Sequence, residues 1–228
     1  MNEATSGNAS IDSGAAYVYT RTAGTWSQQA YVKASNTGDN DQFGTSIALS
    51  GDGNTLSVGA IGEASSTTGV NSTPNELANG AGAAYVYTRS AGTWSQQAYV
   101  KASNTGRGDT FGNSVALSGD GNALAVGAPF EDSSATGIDT EPDELATDAG
   151  AVYFYARSAG TWSQQAYVKA SNTGAVDHFG NSVALSGDGN TLAVGAQLED
   201  GSGTGVSSTG TGGTQNDLAG DSGAVYLY

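Results

Sequence analysis

The chain has 228 residues, among them 35 Gly, 3 Pro and no Cys, and its net charge is −15 at pH 7. Lack of Cys excludes disulfides and thiolate metal sites, and the acidic balance argues against a nucleic-acid partner. No stretch approaches the roughly 20 continuous apolar residues of a membrane helix, so no membrane insertion is expected.

The opening segment, Met1 to Gly7, has neither the basic nor the apolar region of a secretion signal. A first β segment follows at Ala15 to Tyr19 and is designated type C. Type D runs from Trp26 towards Lys33. Type A opens at Phe43-Gly44, and type B ends at Val58-Gly59-Ala60. The series then repeats. Phe43, Phe111 and Phe179 are 68 residues apart, and Trp26, Trp94 and Trp162 keep the same spacing. A fixed period of this size marks one supersecondary unit, repeated because a single unit cannot bury its own faces.

Residue alternation describes the sheets. In type A, Phe111, Asn113, Val115 and Leu117 alternate with Gly112, Ser114, Ala116 and Ser118. This predicts one large face and one small face, so that successive sheets nest. Type D, rich in Ser and Gln, is expected at the solvated edge. The turn Ser118-Gly119-Asp120-Gly121-Asn122 joins A to B through a strong hairpin signal, and Ser158-Ala159-Gly160 joins C to D. The B–C and D–A connections are longer, and the third B–C loop, Gln197 to Ser222, carries an insertion.

Four antiparallel strands per unit, radially repeated, describe a propeller blade. The expected fold class is therefore all-β: a β-propeller of four-stranded antiparallel blades, about three per chain. Residues 1–228 form one repeat domain, with units near 43–101, 111–169 and 179–228 and N-terminal strands in 14–33.

Phe111-Gly112, then Val126-Gly127-Ala128-Pro129, then Gly150-Ala151-Val152-Tyr153 resembles the FG-GAP repeat, in its bacterial form. That repeat builds the propeller of integrin α subunits and of many bacterial surface or secreted proteins. The resemblance implies an extracellular or cell-surface location and a role in adhesion, binding or scaffolding. The other two copies end the phrase with Ile61 and Gln197 in place of Pro129. Integrin-type repeats often hold calcium between strands A and B. Here that loop is shortened to Ser50-Gly51-Asp52-Gly53-Asn54 and its copies, too few oxygens for the six to eight calcium prefers. Calcium therefore does not carry over at these turns, and no cofactor is expected; calcium held by the longer acidic loops is the alternative.

In such a blade the B–C and D–A loops share one end. Every acidic residue except Asp52, Asp120 and Asp188 falls there. The densest group, Glu131, Asp132, Asp139, Glu141, Asp143, Glu144 and Asp148, is the candidate binding face; its alternative reading is a solubilising surface. Asp41, Asp109 and Asp177 recur two residues before each Phe-Gly pair, which suggests a cap on the turn into strand A. Arg107-Gly108-Asp109 spells an adhesion tripeptide on a D–A loop, in one copy of three. His178 is the single histidine and stands where the other copies have Gln42 and Thr110, so no catalytic set or metal site is expected.

The expected strand order is C, D, two full A–B–C–D series, then A–B–C. Propellers usually have four or more blades. An excerpt of a longer exported propeller, a two-chain six-blade ring and an open fibre all satisfy that arithmetic. An assembly is expected in preference to a monomer. The leading function is a non-catalytic module that binds protein, glycan or its own copies. The alternatives are a self-assembling fibre or ring, and a polysaccharide hydrolase or lyase.

Overall fold

The computed structural model describes residues 10–206 and 219–228. Glu3 and Asp217, and most of the Gly-rich stretch 201–213, lie outside them. Thirteen strands and no helix occur among the described residues. β1 (Ala16–Thr22) and β2 (Thr25–Val32) form a hairpin. β3 (Phe43–Leu49), β4 (Thr55–Ala60), β5 (Ala83–Ser90) and β6 (Thr93–Val100) form a four-stranded antiparallel sheet in chain order. β7 (Ser114–Leu117), β8 (Ala123–Ala128), β9 (Ala151–Ser158) and β10 (Thr161–Val168) repeat it. β11 (Phe179–Leu185), β12 (Leu192–Ala196) and β13 (Ala224–Leu227) form a last, three-stranded sheet. These are propeller blades. The hairpin is a half-blade of types C and D, the two full sheets are blades 1 and 2, and the last is blade 3.

The blades stack as their alternation dictates. Tyr85, Tyr87, Phe43 and Val58 of blade 1 pack on Ala16, Val18 and Val32 of the half-blade. Tyr153, Tyr155, Phe111 and Val126 of blade 2 pack on Ala84, Val86, Ala98 and Val100 of blade 1. Phe179, Leu192, Val194 and Tyr226 of blade 3 meet Ala125, Val152 and Val168. A large face thus lies on the small face of the preceding sheet each time, which is how close packing is reached without voids.

Strand A departs from simple alternation. Phe43 pairs with Ala60 and Ile47 with Val58, so two extra residues bulge between them. In blade 2 the strand proper starts only at Ser114. Two extra residues preserve parity, so Phe111, Val115 and Leu117 still join one core. The bulge turns the Gly112 carbonyl onto the preceding blade, where it accepts the Ser46 hydroxyl at 2.7 Å. The Gly180 carbonyl accepts the Ser114 hydroxyl at 2.8 Å in the same way. A Cβ on Gly59 would lie 1.9 Å from Gly112 O, and one on Gly127 2.0 Å from Gly180 O. Only glycine allows sheets so close at that point.

A second bulge serves the outer edge. Val86 pairs with Ala98 but Tyr87 with Gln96, which leaves Gln97 unpaired in the ladder. Its re-aimed amide oxygen accepts Trp162 Nε1 at 2.9 Å and Arg157 Nη1 at 3.0 Å from the next blade. Gln29 does the same for Trp94 and Arg89, both at 3.0 Å. Each Arg also lies over the ring of its own Trp, 5.4 and 5.3 Å from the centroid.

Candidate binding face

Antiparallel order places the B–C and D–A loops at one end of every blade. The loops are held from within. Glu63, just after β4, accepts Lys101 Nζ at 2.9 Å, Tyr99 Oη at 2.8 Å, Asn36 Nδ2 at 2.9 Å and Ser65 N at 3.1 Å. Glu131 repeats the set with Lys169 and Tyr167 at 2.8 Å, Asn104 at 2.8 Å and Ser133 N at 3.2 Å. These are the two ion pairs among the described residues, and all four members are buried. Burial lowers the pKa of Lys101 and Lys169, while the facing glutamates pull it back up. The expectation that Glu131 belongs to an exposed acidic surface is therefore corrected: its carboxylate is the buried anchor of its loop.

The other acids of that run divide by use. Asp143 takes Ser134 N at 2.7 Å, the Ser134 hydroxyl at 2.8 Å and Leu145 N at 3.2 Å, which holds its pKa below the usual value. Asp139 accepts Tyr167 N at 2.9 Å and Asp132 accepts Asp148 N at 2.8 Å. Asp139 and Asp148 have φ of 53° and 54°, a left-handed conformation that Asp tolerates in turns. Glu141 and Glu144 are exposed. Burial, then the Asp132 and Glu131 charges, raises the pKa of Glu144.

The adhesion tripeptide is also corrected. Arg107 and Gly108 are exposed, but Asp109 is only 4% exposed and accepts Gly106 N at 2.7 Å. Asp41 and Asp177 do the same for Gly38 and Gly174, at 2.6 and 2.8 Å. Each carboxylate closes the D–A loop three residues back; the expected cap pointed forward into strand A. An Asp withdrawn in this way cannot meet a receptor.

At the A–B turns, Asp52 Oδ1 accepts the Ser50 hydroxyl at 2.6 Å and Asn54 N at 2.9 Å, and Oδ2 accepts Asn54 Nδ2 at 3.0 Å. Those bonds hold Asp52 and Asp120 down at about 2. The Asp52 oxygens are thus engaged within their own turn. His178 rests edge-on against Phe130, ring centroids 4.8 Å apart.

Sequence reasoning missed two exposed leucines at the tips of the B–C loops. Leu77 is 72% and Leu145 81% exposed, each directly after a glutamate, Glu76 and Glu144. Their recurrence one period apart was the available signal.

Comparison with known families fits this architecture. The FG-GAP repeat model matches residues 26–87, 94–155 and 162–228. The chain belongs to the FG-GAP repeat family. No curated protein matches it. Each FG-GAP match begins in a strand D and ends in the strand C of the next blade. The FG-GAP sequence unit is thus one strand out of phase with the blade, and each unit bonds two blades covalently. The Phe-Gly pair is the bulge that touches the previous sheet, and the Gly of Val-Gly-Ala is the surface it touches.

Proposed function

We propose that this FG-GAP propeller is a non-catalytic, extracellular or cell-surface module that binds a protein or glycan, for adhesion or scaffolding, through its B–C loop end. The observation that carries the reading is the repeated pair Glu76-Leu77 and Glu144-Leu145. Large apolar side chains this exposed, at matching positions on loops pinned by buried ion pairs, suit a preorganised contact surface. The third copy, Asp217-Leu218, lies outside the described residues. The non-catalytic reading is supported by the use of the acids: most are committed to backbone groups, and the histidine packs on Phe130.

Binding to arrayed glycans and to matrix proteins tests the proposal. Leu145→Ser with Glu144→Gln should weaken a captured ligand at least about tenfold, a loss of ~1.4 kcal/mol, without changing the melting temperature. Unchanged binding by that variant refutes the face. Release of cleaved sugar from a bound polysaccharide refutes the non-catalytic reading.

A further inference from the structure

Three positions where blades 2 and 3 meet break the internal repeat. Phe130 stands where the other copies have Gly62 and Leu198, Val176 where they have Asn40 and Gly108, and His178 where they have Gln42 and Thr110. The first two changes put apolar surface on the B–C loop end, since Phe130 is 37% and Val176 47% exposed.

Val176 also runs against its own backbone. Its φ is 69°, and Asn40 and Gly108 have φ of 64° and 89° at the same point of their loops. Gly and Asn take that left-handed conformation readily, whereas a β-branched residue there is an outlier. Packing does not ask for valine, because the side chain is half in water. Outliers of this kind gather where a ligand is held.

Backbone bonds draw these residues into one surface. Val176 N donates to Thr147 O at 2.8 Å, and His178 N donates to Asp148 O at 3.2 Å. The His178 ring backs Phe130, and the exposed Leu145 lies two residues before Thr147. Partly exposed carboxylates border the patch. Asp132 Oδ1 accepts Asp148 N at 2.8 Å, and Glu144, beside Leu145, lies within reach of the Asp132 charge. Arg107 is the one exposed cation on the described B–C and D–A loops, because Lys101 and Lys169 are buried in their ion pairs.

We propose that this patch docks a protein segment carrying an apolar side chain flanked by lysine or arginine. The inference rests on the B–C loop end being the binding face, and it narrows the partner there to a cationic, amphipathic peptide. Phe130, Val176 and Leu145 receive the apolar side chain, and Asp132, Glu144 and Asp148 face the cations. An acidic polysaccharide would be repelled, and a neutral one offers few apolar groups to Val176 and Leu145.

Random dodecapeptides displayed on phage and selected on the purified chain are the probe. The selected sequences should carry Leu, Ile, Phe or Trp between lysines or arginines, and the synthetic peptides should bind more weakly as salt is added. Val176→Asn restores the residue of the first copy. It should weaken a selected peptide at least about fivefold while raising the melting temperature by about 2–4 °C, because the backbone strain is relieved. Phe130→Ala should weaken the peptide by a similar factor, with an unchanged circular dichroism spectrum. Selection of no peptide, selection of peptides without flanking cations, or binding that survives both Val176→Asn and Phe130→Ala overturns the proposal. Binding lost through Leu145→Ser with Glu144→Gln, but untouched by those two variants, overturns it while leaving the B–C loop end as the binding face. A face that captures only glycans does the same.

Discussion

The Lys101 ammonium lies 2.9 Å from Glu63 Oε2, and neither side chain is more than 1% exposed. Such a pair is a locking device more than a source of stability, because desolvation offsets most of the attraction. Removing one member is different, since it strands a buried charge. Lys101→Met is expected to destabilise the chain by ~3–5 kcal/mol in urea unfolding. Adding Glu63→Gln to it should recover a substantial part of that loss. A double variant as unstable as the sum of the single ones would show that the pair is not coupled.

The contact between Gly127 and Gly180 O makes a sharper demand. A methyl group at Gly127 would sit 2.0 Å from that carbonyl, so blades 2 and 3 must separate or shift. Gly127→Ala should cost ~3 kcal/mol or more, beyond the usual 0.5–3 for a point change. Gly187→Ala, where nothing lies within 4 Å of the new methyl, should stay within about 0.5 kcal/mol. Thermal melts of the two variants side by side check this. Equal behaviour would mean the close approach does not define the stacking.

Strand content, period and turn type were legible because each rests on local chemistry: alternation for the type A segments, Asp-Gly for the A–B hairpins. The fate of individual acids was not, because a run such as Glu131 to Asp148 looks uniform in charge. Periodicity within the chain separates it. Glu63, Glu131 and Glu199 recur without change, as do Asp41, Asp109 and Asp177, and these are the buried or backbone-bound ones. Asp132 and Glu141 stand opposite Ala64 and Thr73 in the first repeat, and they lie at or near the surface. The re-aiming of Gln97 was also invisible, since a one-residue bulge leaves no mark on composition. Its signature was a glutamine invariant in all three type D segments.

That glutamine supports a third expectation. Gln97 Oε1 receives both Trp162 Nε1 and Arg157 Nη1. Gln97→Ala removes both bonds at the outer edge of the blade 1–2 contact, at a cost of ~1–3 kcal/mol. Trp162 fluorescence should move to longer wavelength as its edge becomes hydrated. An unmoved melting temperature and spectrum would show that the bulge has no energetic role.

Two sets of carboxylates should give opposite pH dependence. Asp109 is buried, and desolvation, partly countered by the Gly106 N–H, raises its pKa to about 7 from an ordinary 3.8. The folded state therefore holds that proton more tightly than the unfolded state does. Stability from this group is greatest below pH 3.8 and declines as pH rises through about 7. Asp52 and Asp120 behave in reverse: hydrogen bonds from Ser50 and Ser118, then from Asn54 and Asn122, lower them to about 2. Their contribution is present above pH 3.8 and is lost as pH falls towards 2. Melting temperatures of wild type and Asp109→Asn, recorded from acid to mildly alkaline pH, separate the two effects. The variant should gain on wild type steadily between pH 4 and 7, because its amide cannot ionise. A difference that stays flat across that window would mean Asp109 titrates as an ordinary surface carboxylate, and that its buried place in the D–A loop carries no electrostatic strain.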